Sequence, residues 1–213
     1  APDDAAAGND LNNAGWRDVS FVPSGMSFNA IPNAASGSGE HAIMAWPSIS
    51  HGAIVDNVSV PGDGEFYVGH NVIDNGDGTW RYEYAVHNMN SDRAAREFSV
   101  PVGAGVTLTN VGFNDVDYHS GEPYDATDWA FTNATGRATW TMPAFTPEED
   151  SNALRWGTVY SFWFTADSAP RNVAAELLLF KDAPVPSIPG VAPAVRGPEA
   201  TACPADIDSS GSV

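Results

Sequence analysis

The stretch Asn75-Gly76-Asp77-Gly78-Thr79-Trp80-Arg81-Tyr82-Glu83-Tyr84-Ala85-Val86-His87-Asn88 decides the fold. From Thr79 to His87 it alternates strictly. Trp80, Tyr82, Tyr84 and Val86 point one way, and Arg81, Glu83, Ala85 and His87 point the other. A period of two with one aromatic face is a β-strand lying on a core. Upstream, Glu65 to Ile73 is a second apolar-rich run. The intervening Asp74-Asn75-Gly76-Asp77-Gly78 is dense in residues that tolerate positive φ, so the two runs read as a hairpin.

Working outward, short β-type runs recur between Gly, Pro and Asn turns. Glu97 to Val100 ends at Pro101, Val106 to Phe113 is β-branched, and Arg137 to Met142 stops before Pro143. Thr158 to Thr165 sets Tyr160, Phe162 and Phe164 on one face, and Val173 to Phe180 closes the patterned region. His41 to Trp46 and Ala53 to Val60 read as further strands. Asp92 to Arg96 and Pro147 to Leu154 are each long enough for a turn. No helical stripe appears, so the fold class is all-β, an antiparallel sandwich of Ig-like or jelly-roll type. Trp80, Tyr82, Tyr84, Phe162 and Phe164 are expected in one buried cluster between its sheets.

The flanks differ from the patterned domain, residues 41 to 181. Residues 1 to 40 are rich in Ala, Asn, Gly and Ser yet carry Trp16, Val19, Phe21 and Phe28, which implies an extended arm lying against its own sandwich or a neighbour's. Residues 182 to 202 hold five prolines, at 184, 186, 189, 193 and 198, the pattern of an extended polyproline-like linker. The first residues, Ala1-Pro2-Asp3-Asp4, read as a mature N-terminus left after a signal peptide is removed, and a chain simply trimmed at this point would read the same.

Charge narrows the partners. There are 27 acidic residues against 9 basic ones, a formal charge of -18, which repels nucleic acid and anionic membrane. No apolar run is long enough to span a bilayer. The lone cysteine, Cys203, leaves no internal disulfide. No Gly-x-Ser-x-Gly elbow, His-Glu-x-x-His motif or phosphate-binding glycine loop is present, so no enzyme is expected.

Residues 75 to 88 resemble a strand pair in secreted Ig-like sandwich modules of bacterial surface proteins, in which the asparagine after the alternating strand ends it in a turn, as Asn88 would here. Leu154-Arg155-Trp156-Gly157-Thr158-Val159-Tyr160-Ser161-Phe162 is similar to the closing strands of the same modules. The resemblance covers roughly residues 65 to 181 and implies fold and extracellular location, with little about chemistry. At the end of the chain, residues 203 to 213, Asp206, Asp208 and Ser210 stand at positions one, three and five of a calcium loop, with Gly211 at position six. The sequence stops at position eight, before the bidentate acid, so this site is incomplete. An acidic Ser/Gly tail is the other reading. With Cys203-Pro204-Ala205 in front, the segment resembles the start of a dockerin-like, EF-hand-type module, which implies a longer precursor.

The main metal candidate is the loop holding Asp115, Asp117, Glu122, Asp125 and Asp128, with His119 among them. Calcium would draw several carboxylates together. A carbohydrate would stack on Tyr118, Tyr124 or Trp129. A glycosidase would need two carboxylates held across a cleft, and a solvated acidic turn needs no ligand. Asn57-Val58-Ser59 and Asn133-Ala134-Thr135 are acceptor sequons for glycans, Asn133 falling in an expected turn and Asn57 mid-strand.

Two functions fit. One is a non-enzymatic extracellular subunit of a self-assembling fibre or surface layer, its identical copies linked by strand donation from the arm. The other is a carbohydrate-binding or adhesion module of a larger secreted system.

Overall fold

The computed structural model of the chain describes residues 14–117, 121–182 and 190–198. It begins with a two-stranded ribbon, β1 (Gly15–Ser24) and β2 (Ser27–Ser38). A 3-10 turn at Ala42–Ala45 runs into one turn of α-helix, α1 (Trp46–Ile49). An antiparallel meander follows, made of β3 (Ile54–Val60), β4 (Gly64–Asp74) and β5 (Trp80–Asn88). Next come β6 (Ala95–Pro101), β7 (Leu108–Asn114), β8 (Ala130–Ala134), β9 (Arg137–Thr141) and β10 (Val159–Ala166). The last elements are β11 (Arg171–Ala174), β12 (Glu176–Leu179), β13 (Gly190–Val191) and β14 (Ala194–Gly197).

Two five-stranded antiparallel sheets, in the orders β3-β4-β5-β10-β7 and β13-β12-β6-β9-β8, make an all-β sandwich. The register of β5 explains the core. Tyr84 lies opposite both Phe162 and His70, and Tyr82 lies opposite Phe164 and Val72. Opposed residues share a face, so the aromatic face of the alternating strand becomes the inner face of the first sheet. The second sheet answers with Phe98 and Trp140, whose rings lie 4.9 and 5.3 Å from that of Phe162. Tyr82, Tyr84, Phe162 and Phe164 are at most 1% exposed. Trp80, expected among them, is only half-buried at the start of β5 and packs against the rim of the core.

Asn88 ends β5 as a fully buried turn residue. Its Nδ2 donates to the carbonyls of Ser91 and Leu154, each at 3.0 Å, and its Oδ1 accepts from Ser91 N at 2.8 Å. A buried amide needs such partners, and here they close the turn from Asn88 to Ser91.

Other readings of the sequence also come out differently. His41 to Trp46 is not a strand. Pro47 sits in the first turn of α1, where its missing N–H costs nothing, and a short apolar run does not by itself distinguish strand from helix. This segment covers the outer face of the first sheet, with Trp46 over Gly69; a Cβ on Gly69 would come within 2.9 Å of that ring. Val173 to Phe180 is divided at Ala175, with β11 pairing to β14 and β12 to β6 and β13. The stretch 182 to 202 is not wholly a linker, because β13 and β14 return to the sandwich. Val195 is buried there, and Tyr84 donates its hydroxyl to Arg196 O at 2.7 Å. Pro193 and Pro198 fall just outside β14, where the ladder loses no donor.

The N-terminal arm also differs from an extended strand awaiting a partner. Residues 15 to 38 pair with one another around Gly25-Met26, and Gly25, at φ 62°, meets the positive φ that a tight hairpin demands at its first loop position.

Candidate functional site

The acidic loop leaves β7 and crosses to β8, and its anchor is Asn152. Asn152 Nδ2 donates to Asp115 Oδ2 and, at 3.1 Å, to Thr127 O. Its Oδ1 accepts from the Tyr160 hydroxyl at 2.6 Å, and its carbonyl accepts from Trp129 Nε1 at 2.6 Å. Burial, reinforced by the Asp115 charge and opposed by Arg155, pushes the Tyr160 hydroxyl pKa up, so Tyr160 stays a neutral donor. Asp115 is therefore engaged in holding the loop to the sandwich.

Asp125 makes a local turn, its Oδ1 accepting from Thr127 N at 2.9 Å and Thr127 Oγ1 at 2.8 Å. Asp117, Glu122, Asp125 and Asp128 are exposed. Asp125, Asp128 and Glu148 line a recess of about 220 Å³, but among the described residues no three His, Cys, Asp or Glu side chains form a group able to hold a metal ion. Tyr118, His119, Asp206, Asp208 and Ser210 lie outside the described residues.

Trp129 is not a sugar platform. It is 3% exposed, with its ring 5.7 Å from Phe113 and 5.6 Å from Phe162. Standing one residue before β8, it fills the gap between the two sheets. Tyr124 is half-buried, and the Arg155 guanidinium lies 3.5 Å from its ring centroid, which occupies one face. The aromatic the sequence reading passed over is Trp156, 73% exposed. It lines a recess of about 190 Å³ with Tyr124, Arg155, Asp92 and Lys181, the last two paired at 3.0 Å. The available signal was its place beside Gly157, outside any alternating run, where a tryptophan has no inner face to occupy.

The ribbon brings the arm residues together. Val19, Phe21 and Pro23 stand opposite Pro32, Ala30 and Phe28, giving one wholly apolar face. The other face carries Ser20, Ser24, Ser27 and Asn29 with Val22 and Ile31. Phe21 and Phe28 are each 68% exposed and Met26 is fully exposed, so the sandwich of the same chain does not bury these anchors. Trp16, half-buried, donates from Nε1 to Glu40 Oε2 at 3.2 Å at the root. Beside it, His41 Nδ1 lies 3.1 Å from His87 Nε2, and His87 Nδ1 lies 3.1 Å from Thr158 O. A carbonyl only accepts, so neutral His87 carries its proton on Nδ1 and accepts at Nε2 from His41.

A groove of about 400 Å³ runs over the outer face of the first sheet. Ile43 and Trp46 line it from the helical segment, Val159 and Trp163 from β10, and the small residues Ala85 and Ser161 lie opposite each other on its floor. Asn57 and Asn133 are both exposed; Asn57 Nδ2 donates to Glu65 Oε2 at 2.7 Å, and Asn133 lies on β8 rather than in the turn after it. Among the described residues no helix is long and apolar enough to cross a membrane. Compared with known proteins, the chain matches no family model and no curated protein.

Proposed function

We propose that this chain is a non-enzymatic extracellular structural protein that assembles with identical copies into a fibre or surface layer through its N-terminal hairpin. The exposed apolar face of that hairpin carries the reading. A lone two-stranded ribbon is marginal in water, and covering each large apolar side chain is worth about 1.5–3 kcal/mol. The ribbon's strands are already paired with each other, so side-chain burial, rather than donation of an unpaired strand, supplies the link. Electron microscopy and sedimentation of the full chain over a range of concentrations test it. Long polymers are expected, and a chain that stays monomeric throughout refutes the reading.

A second reading, a carbohydrate-binding or adhesion module, is favoured by Trp156 beside Arg155, Asp92 and Lys181. An exposed indole edged by charged groups suits a sugar ring and its hydroxyls. Screening on a glycan array should return ligands whose binding is lost in Trp156→Ala, and an empty array removes this reading.

A further inference from the structure

We infer that the apolar face of one copy's hairpin seats in the groove on the outer face of the next copy's first sheet. The inference rests on the subunit reading above and names the contact that reading needs. The chain presents two apolar surfaces of opposite shape. One is a narrow ribbon bearing Phe21 and Phe28 on one face, and the other is a groove between Trp46 and Trp163. The groove's volume of about 400 Å³ compares with about 150 Å³ for a cavity that takes one benzene ring, so two phenylalanine rings fit.

Charge selects the same pair of surfaces. Two copies of a chain with a formal charge of -18 repel one another in most orientations. Residues 19 to 39 contain no charged side chain at all. Among the groove's lining residues the charged ones are Arg81 and Glu83, which neutralise each other at 2.7 Å. Neutral ribbon on neutral groove is thus a contact that the acidic surface does not oppose. Once the apolar face is seated, Ser20, Ser24, Ser27 and Asn29 stay on the solvent side, with Val22 and Ile31 among them.

The hairpin's own groove is not its seat. No residue of the ribbon lines it, and the root is tied down by Trp16 to Glu40 and by His41 to His87. The contact therefore joins different surfaces of two copies, and repeated without closure it builds a filament.

Mixing of two full-length variants tests this. Phe21→Ser with Phe28→Ser removes the ribbon's anchors but leaves the groove; Ser161→Trp fills the groove but leaves the ribbon. Neither site belongs to the inner face of the sandwich, so melting curves should stay near wild type. Each variant alone should be monomeric, with assembly weakened on the order of 100-fold or more. Mixed in equal amounts, they should form dimers that do not extend, because one supplies the ribbon and the other the groove. Val159→Glu, at a side chain already 37% exposed on the groove wall, repeats the test without adding bulk to the floor. Monomers only in the mixture, or wild-type polymers from both groove variants, overturn the inference while leaving the subunit reading standing. A monomeric wild type overturns both.

Discussion

Replacing Asn152 tests how the acidic loop is held. Asn152 is 2% exposed, and its side chain makes three hydrogen bonds, to Asp115, to Thr127 O and from Tyr160. The two neutral bonds are worth about 1 kcal/mol each and the charged one about 2 kcal/mol. Asn152→Ala forfeits all three. Tyr160 keeps a bond to Ala153 O at 3.1 Å, and Asp115, half-exposed, regains water, so the net loss should be about 2–3 kcal/mol. Urea titration followed by tryptophan fluorescence should show a lower midpoint at unchanged slope. Asn152→Asp keeps the shape but sets a carboxylate against Asp115. Its pKa in the folded state then rises above the unfolded value of about 3.9. The stability it contributes is present below that value and is lost as pH rises through the folded pKa, so the variant should be weakest at neutral pH and recover on acidification. A loss below about 0.5 kcal/mol for Asn152→Ala, or a pH-independent deficit for Asn152→Asp, would refute the network.

Three other outcomes follow from the geometry. His70 and His87 are held below the usual histidine pKa chiefly by burial; at His70, Arg196 adds to this and Asp56 opposes it, and at His87 the Thr158 carbonyl opposes and His41 adds. The unfolded chain takes up their protons more readily, so the stability present above about pH 6.5 should be lost as pH falls below it. A melting temperature that is flat from pH 7 to pH 5 would count against this. Gly112→Ala would put a Cβ 2.1 Å from the Trp163 ring, forcing it to swing away at a cost of about 1–3 kcal/mol, visible as a lower midpoint and altered fluorescence; an unchanged spectrum would contradict the packing. Calcium titrated into chelator-treated protein should raise the melting temperature at most weakly, with the gain lost in Asp117→Ala combined with Asp125→Ala, and tight binding would show that the loop's acids converge.

The sandwich was legible where one face of a strand is apolar and the other polar. In Trp80–Asn88 and Val159–Ala166 the period of two is local information, and burial of one face then dictates which residues form the core. Asn88 and the Asp74–Gly78 turn were legible for the same reason, since short polar side chains and glycine act on their own backbone. Contacts between residues distant in sequence were not. That β10 lies between β5 and β7, or that Ala175 divides one run between two sheets, follows from how the chain crosses between layers. The candidate sites show the same limit. Composition identified the apolar anchors of the arm and the acids of the loop, but pairing around Gly25 turned Val19, Phe21 and Phe28 into one exposed face, and Asn152 tied Asp115 to the sandwich. Trp129 and Trp156 carry the same side chain, and only the gap between the sheets decided that one is core and the other surface. Alternation says which residues of a strand point the same way; what lies opposite them is settled by the three-dimensional packing.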